Sequence, residues 1–241
     1  MCASKKGAQA LARIDKGAIV KLEIVREASR QFLKKGYSAT SISMISKALQ
    51  MSPGNLTYHY PSKEHLLEAL VDLLCNFQWK RMDEEAAEGY SSVMAICLEL
   101  ASMASACEQD AVIKDFFLAA YTSPLCLGII RKNDAVRAQE VFGSYRPGWK
   151  KEQFVEAEIL CSGIEYATLM TAGDPVTLET RVAGALHNIL GIFGIPEETR
   201  QSKIQRVFDL DYRKLGKLVL EEFKEYVEQA NEQALLDLLK R

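Results

Sequence analysis

Helical periodicity runs through almost the whole chain, and apolar–polar alternation over four or more residues is hard to find. That pattern predicts an all-α fold. The 241 residues include only 14 Gly and 6 Pro, too few turn formers for a many-stranded β protein. In the first clear helix, 17–35, Val20, Ile24, Ala28 and Phe32 recur every four residues as one buried stripe, and Gly36 stops it. Two short helices follow, at 41–49 with Ile42, Ile45 and Leu49 inward, and from Ser52 with Leu56 and Tyr60 as anchors. Pro53 suits the first position of the second, where its missing N–H costs nothing. Pro61 ends it, and Ser62 is placed to cap a fourth helix carrying Leu66, Leu67, Leu70, Leu74 and Phe77.

Beyond residue 90 the helices become more apolar. The segment 93–107 has only Glu99, Ser102 and Ser105 as polar residues, so it belongs in the middle of a bundle. Further helices are predicted at 110–121, at 125–142 as one broken helix or two with a restart at Asn133-Asp134, at 151–171 as a largely buried helix ended by Gly173-Asp174-Pro175, at 177–193, and from Pro196 to about Phe208. A long final helix is capped by Asp211. About ten helices result.

Charge divides the chain. Residues 1–65 hold 11 Lys and Arg against 4 Asp and Glu, a net of +7, whereas residues 66–241 carry −9. A basic head on an acidic body points to a polyanion partner for the head alone. Residues 1–17 read as a mobile basic arm, without the apolar core of a secretory signal. The least polar long window, 182–195, is 14 residues, and a bilayer needs about 20, so no membrane partner is expected. The six cysteines form no CxxC pair and sit mostly in apolar stretches, as small buried hydrophobes in a reducing cytoplasm do. His59, His65 and His187 have no metal-ligand spacing, and HExxH, GxSxG, P-loop and GxGxxG motifs are absent. The sequence therefore predicts no enzyme, no cofactor and no metal.

The segment 40–63, TSISMISKALQMSPGNLTYHYPSK, sets two short helices in succession about three residues apart, behind a longer one. This is helix-turn-helix spacing, in which the second helix lies in the DNA major groove. Gly54 allows close backbone approach, Asn55 and Thr57 can bond base edges or phosphates, and Tyr58 and His59 offer apolar bodies with polar tips. Tyr58 and His59 either pack the head or face DNA; DNA is favoured because Leu56 and Tyr60 already occupy the inner face. Lys63, at a serine-capped helix start, reads equally as a phosphate cation or a solvated charge.

From about residue 19 to 70 the chain resembles the DNA-binding domain of TetR-type transcriptional regulators. The likeness rests on the helix end at 32–36, Thr40-Ser41, Ile45, the MSPGNLTYHYPSK run and the leucines after Lys63. There are departures: Gln50 where the turn usually has glycine, Thr57 where the Leu-Tyr pair has tyrosine, Tyr60 for phenylalanine, and Pro61. The resemblance implies a DNA-binding head (1–65) and a helical ligand-binding and dimerisation body (66–241). It implies that Thr40, Ser41, Ser43, Ser52, Gly54, Asn55, Thr57, Tyr58, His59 and Lys63 touch operator DNA. The implied function is a sequence-specific repressor, active as a homodimer on double-stranded operator DNA and released by a small-molecule effector. Within the body, Glu99, Met103, Phe117, Tyr121, Tyr166 and Met170 are candidates for an effector pocket. Glu99 and Glu165, set in apolar helices, suit a cationic or hydroxylated ligand, solvent, or an arginine partner. The small-residue stripe Gly184, His187 and Gly191 suits either a dimer contact or close packing within one chain. The competing reading is a helical module whose basic head binds a protein or an acidic membrane surface.

Overall fold

The computed structural model describes residues 16–87, 90–171 and 176–239; the basic arm and the predicted stop at Gly173-Asp174-Pro175 lie mostly or wholly outside them. Eleven α-helices and no strand are found among these residues. They are α1 Lys16–Lys35, α2 Ile42–Ala48, α3 Pro53–His59, α4 Lys63–Ala87, α5 Ser92–Gln109, α6 Ala111–Thr122, α7 Pro124–Phe142, α8 Lys151–Met170, α9 Leu178–Ile192, α10 Glu197–Asp209 and α11 Tyr212–Leu239. Among the described residues no single helix is long and apolar enough to cross a membrane.

The caps follow the sequence closely. The hydroxyls of Ser41, Ser52, Ser91, Ser123 and Thr177 each accept a backbone N–H at a helix start. Each satisfies a donor with no partner inside its helix, worth about 1 kcal/mol. Ser123 followed by Pro124 starts α7, which then runs unbroken to Phe142, so the predicted restart at Asn133-Asp134 does not occur. Both side chains are instead engaged: Asn133 accepts from the Trp79 indole, and Asp134 lies near Arg137. Ser62 bonds the His65 ring at 2.8 Å.

The α5 helix is the bundle's axis, packing against α4, α6, α8, α9, α10 and α11. Its nearly all-apolar surface requires such a position. The far end is sealed by aromatic rings: Phe193 stacks on Phe142 at 4.4 Å and lies 6.3 Å from Phe154, while Trp149 meets Phe154 edge-on. Each buried ring contributes about 1.5–3 kcal/mol of apolar burial.

Three attachments fix the head to the body. The α4 helix begins in the head and continues into the body across residue 65. Asp115 of α6 accepts from the Ser38 N–H at 2.8 Å and from its hydroxyl. Gly36, at φ +97°, closes α1 beside that carboxylate; a Cβ there would meet Asp115 at 2.8 Å. Finally, α11 returns along α5 to α1, where Glu228 receives Arg26 at 3.2 Å and Arg30 at 2.5 and 2.7 Å. The sequence alone did not indicate this return path.

Gln50, in the α2–α3 turn, has φ +53°. A left-handed backbone costs an L-residue about 1–2 kcal/mol. Glycine avoids that cost but loses more chain entropy on folding. Gln50→Gly should therefore raise stability by about 0.5–1 kcal/mol, read as a higher denaturant midpoint with an unchanged slope.

Candidate nucleic-acid interface and internal cavity

In α3, Leu56 is fully buried while Gly54, Asn55, Thr57 and Tyr58 are exposed. Tyr58 is 83% exposed, its ring edge-on to the partly exposed His59. Tyr60 closes the helix and packs on the core, and burial raises its phenol. The Thr57 hydroxyl donates to the Gly54 carbonyl at 3.2 Å. Ser41, Ser43 and Ser52 are exposed beside them. The outer faces of α2 and α3 thus bring together Ser41, Ser43, Ser52, Gly54, Asn55, Thr57, Tyr58 and His59. Lys47, exposed one turn after Ser43, adds a cation to this surface that motif reading passed over; the (i, i+4) spacing from Ser43 is the signal that finds it.

Two expected contacts lie elsewhere. Thr40 is 2% exposed, and its hydroxyl donates to the Gly36 carbonyl at 2.8 Å, closing the turn after α1. Lys63 donates to the carbonyls of Tyr37 and Thr40, both at 2.9 Å, and sits 4.0 Å from the Tyr37 ring centre. Burial lowers its pKa, opposed by Asp115. Two of its three protons therefore staple the head's first turn instead of standing free for phosphate.

Two adjoining compartments lie within the body. The outer lies among α4, α5, α6 and α11, and the inner among α4–α9. Glu99, Met103 and Phe117 line both, and Tyr121 lines the inner. Tyr166 and Met170 line neither: Tyr166 sits 6.5 Å from the Tyr121 ring, and Met170 packs on the core. Glu99 takes the arginine option, paired with the buried Arg137 and accepting from Gln78 at 2.8 Å. Glu165 accepts from the Tyr121 hydroxyl at 2.9 Å. Burial pushes the Asp134 carboxyl up to about 6, Glu165 to about 8 and Glu158 to about 9. The thiols of Cys75, Cys97, Cys107, Cys126 and Cys161 are buried and raised by desolvation, hence neutral.

The α8 helix is less buried than its composition predicts. Val155, Ile159 (52% exposed) and Leu160 (60%) stand out from it, with Gly163 and Ala167 farther along the same side. Adjacent α9 exposes Gly184 and Asn188, and His187 in part. Gly191, in contrast, is covered by the chain's own Arg200. The small-residue stripe therefore divides: one end is open, the other is used in packing within the chain.

Residues 24–70 match the family model described as bacterial regulatory proteins, tetR family. HTH-type transcriptional regulator QacR from Staphylococcus aureus is 35% identical over 65 residues, covering 26% of this chain and 35% of that protein. The chain thus spans about a third of the length of this curated relative. Among solved structures, Salmonella enterica GusR is 22% identical with a TM-score of 0.45, covering 73% of this chain and 94% of its own. A gamma-butyrolactone receptor (ArpA-like protein) is 17% identical with a TM-score of 0.45, covering 80% and 97%. Residues 24–70, which run through α1 to α4, are thus similar to the regulatory proteins of the tetR family.

Proposed function

We propose that this protein is a cytoplasmic, sequence-specific DNA-binding repressor that acts as a homodimer and leaves its operator when a small molecule fills the body cavity. The observation carrying this reading is α3 itself. Its one buried side chain is Leu56, and it presents Asn55, Thr57 and Tyr58 outward from a rigid, serine-capped start. Helix-turn-helix proteins read base edges with this kind of surface, while neighbouring hydroxyls and cations position the phosphates. Ser41, Ser43 and Lys47 suit the phosphate role. Thr40 and Lys63 are left the task of holding the turn.

A second copy of the chain is the partner that fits the α8–α9 face. Ile159 and Leu160 are large exposed apolar side chains of α8, and Gly184 stands open on the adjacent α9, a combination that suits close helix approach in an isologous contact. Two heads on one twofold assembly would meet two half-sites.

Coupling between cavity and head has a direct route. Val219, Leu220 and Phe223 of α11 line the outer compartment, and Glu228, farther along the same helix, holds Arg26 and Arg30 of the head. A ligand that moves α11 or α4 would shift the head. Typical couplings are about 1–3 kcal/mol, or roughly 5- to 150-fold in operator affinity.

The test is binding of the full chain to selected and scrambled duplexes across a salt series. A preference for one sequence is expected to survive competitor DNA. With about 6–10 phosphate contacts, affinity should fall about 10³- to 10⁵-fold between about 50 and 200 mM salt. Equal binding to every duplex, or preference for acidic vesicles, would instead favour the basic-headed interaction module.

A further inference from the structure

We infer that the body cavity takes an elongated apolar molecule ending in a protonated amine, with the amine seated between Asp134 and Glu165. The inference rests on the effector-domain reading above and names the chemical class of the effector.

The outer compartment sets the body of the ligand. Leu98, Ile113, Phe116, Val219 and Phe223 give it apolar walls. Among them the Ser102 hydroxyl is 3% exposed and has no hydrogen-bond partner. An unpaired buried hydroxyl costs about 1–3 kcal/mol, so a polar atom partway along the ligand is favoured at this point. The outer and inner compartments adjoin at Leu74, Gln78, Glu99, Met103 and Phe117. Met103 and Gln78 are unbranched and can swing aside to let one molecule occupy both.

Charge in the inner compartment sets the end group. Its walls carry Glu99 from α5, Asp134 from α7 and Glu165 from α8, with the Tyr121 hydroxyl from α6. Only Arg137 opposes them, and it is committed first to Glu99, with Asp134 at 3.5 Å. Behind this layer, Glu158 of α8 is offset by Arg131 of α7, whose Nε donates to Ser162 at 2.8 Å. The α9 helix adds only Leu186, Ile189 and Leu190, and α4 adds Leu74 and Gln78. Three carboxyl groups thus face one guanidinium in a low-dielectric space. In the protein alone, burial relieves the excess by keeping protons on Glu165 and, at lower pH, on Asp134. A carboxylate ligand would add repulsion, and an alcohol would leave the excess as it is. An ammonium lets both groups ionise and pair.

Octylamine, 1-octanol and octanoate, titrated into the full-length protein with intrinsic tryptophan fluorescence as the signal, test this. Trp79 lies beside Asn133 and Arg137 at the charged end. Octylamine should bind at least about 10-fold more tightly than octanol at pH 8, and octanoate should bind least. Only ionised carboxylates pair with the amine. Its affinity should therefore rise between pH 6 and 8, by up to about tenfold per unit for each proton released. Glu165→Gln should weaken octylamine about 10-fold and leave octanol unchanged. Asp134→Asn provides the second variant, and a thermal melt verifies that each is folded. Octanol binding as tightly as octylamine, an amine affinity indifferent to both substitutions, or no binding by any of the three overturns the inference. Operator binding is measured in parallel on the protein without ligand. Its loss would count against the DNA-binding reading alone, and failed amine preference with intact operator binding would count against this inference alone.

Discussion

Replacing Leu160 by glutamate, alone or with Ile159→Asp, is expected to leave a folded monomer whose operator affinity is lower by about 10²- to 10⁴-fold. Both side chains are more than half exposed on α8 in the single chain, so the substitution removes little from the chain's own core. Surface changes of this kind typically alter stability by less than about 0.5 kcal/mol. In a dimer the same positions would be buried twice, once from each subunit, and two carboxylates would face each other across the twofold axis. Unpaired charges in a desolvated interface cost several kcal/mol. The large effect on DNA then comes from lost linkage. With two heads on one frame, the second half-site is met at an effective concentration set by the frame, an advantage of about 10²–10⁴ that separate heads lack. Sedimentation velocity and operator titration on the same sample give both readouts. A variant that remains dimeric with full affinity would place the subunit contact elsewhere.

The second large effect is expected from Asn55→Ala combined with Tyr58→Ala. Good base or phosphate contacts contribute about 1–3 kcal/mol each, so the pair should cost about 2–6 kcal/mol per head, at least about 30-fold in affinity. Both residues are exposed, Tyr58 more than any other large apolar side chain among the described residues, so the thermal midpoint should hardly move. That separation of affinity from stability is the point of the test. Leu56→Ala, by comparison, removes a fully buried side chain from the head and should cost about 2–5 kcal/mol of folding free energy. A loss of DNA binding in that variant would say nothing about contact.

Local chemistry was the legible part of this molecule. Ser52 followed by Pro53, the Gly36 stop and the Asp211 cap involve residues within four positions of one another, and a sequence records such neighbours directly. Apolar patterning likewise located α5 at the centre, because a helix without a polar face has few other places to go. Patterning misjudged α8 for the same reason. A run containing Val155, Ile159 and Leu160 reads as buried whether its cover comes from the same chain or from another, and the sequence does not distinguish the two.

Long-range commitments were the illegible part. Lys63 is separated from its Tyr37 carbonyl by 26 residues and Arg30 from Glu228 by 198. No spacing rule links such pairs, and family resemblance assigned Lys63 to phosphate without regard to what else stood near it. Thr40 shows the same limit at shorter range, since its hydroxyl could have turned outward to a phosphate or inward to Gly36, and the fold takes the inward bond. Of the six pocket candidates, Glu99, Met103, Phe117 and Tyr121 line the compartments, and Tyr166 and Met170 do not. Asp134 and Glu158 were missed. Each sits in a helix with ordinary charged neighbours, and only tertiary packing shows that Glu158 is buried and Asp134 partly so.

The central claim is that the exposed face of α3 reads a specific sequence from a twofold frame. Enrichment of duplexes from a random pool by the full-length protein tests it most directly. The account predicts an inverted repeat whose half-sites lie about one helical turn, or a small multiple of it, apart, with the repeat lost from the pool selected by the Asn55→Ala, Tyr58→Ala variant. A pool that stays random, or a preference the double variant retains unchanged, would contradict it.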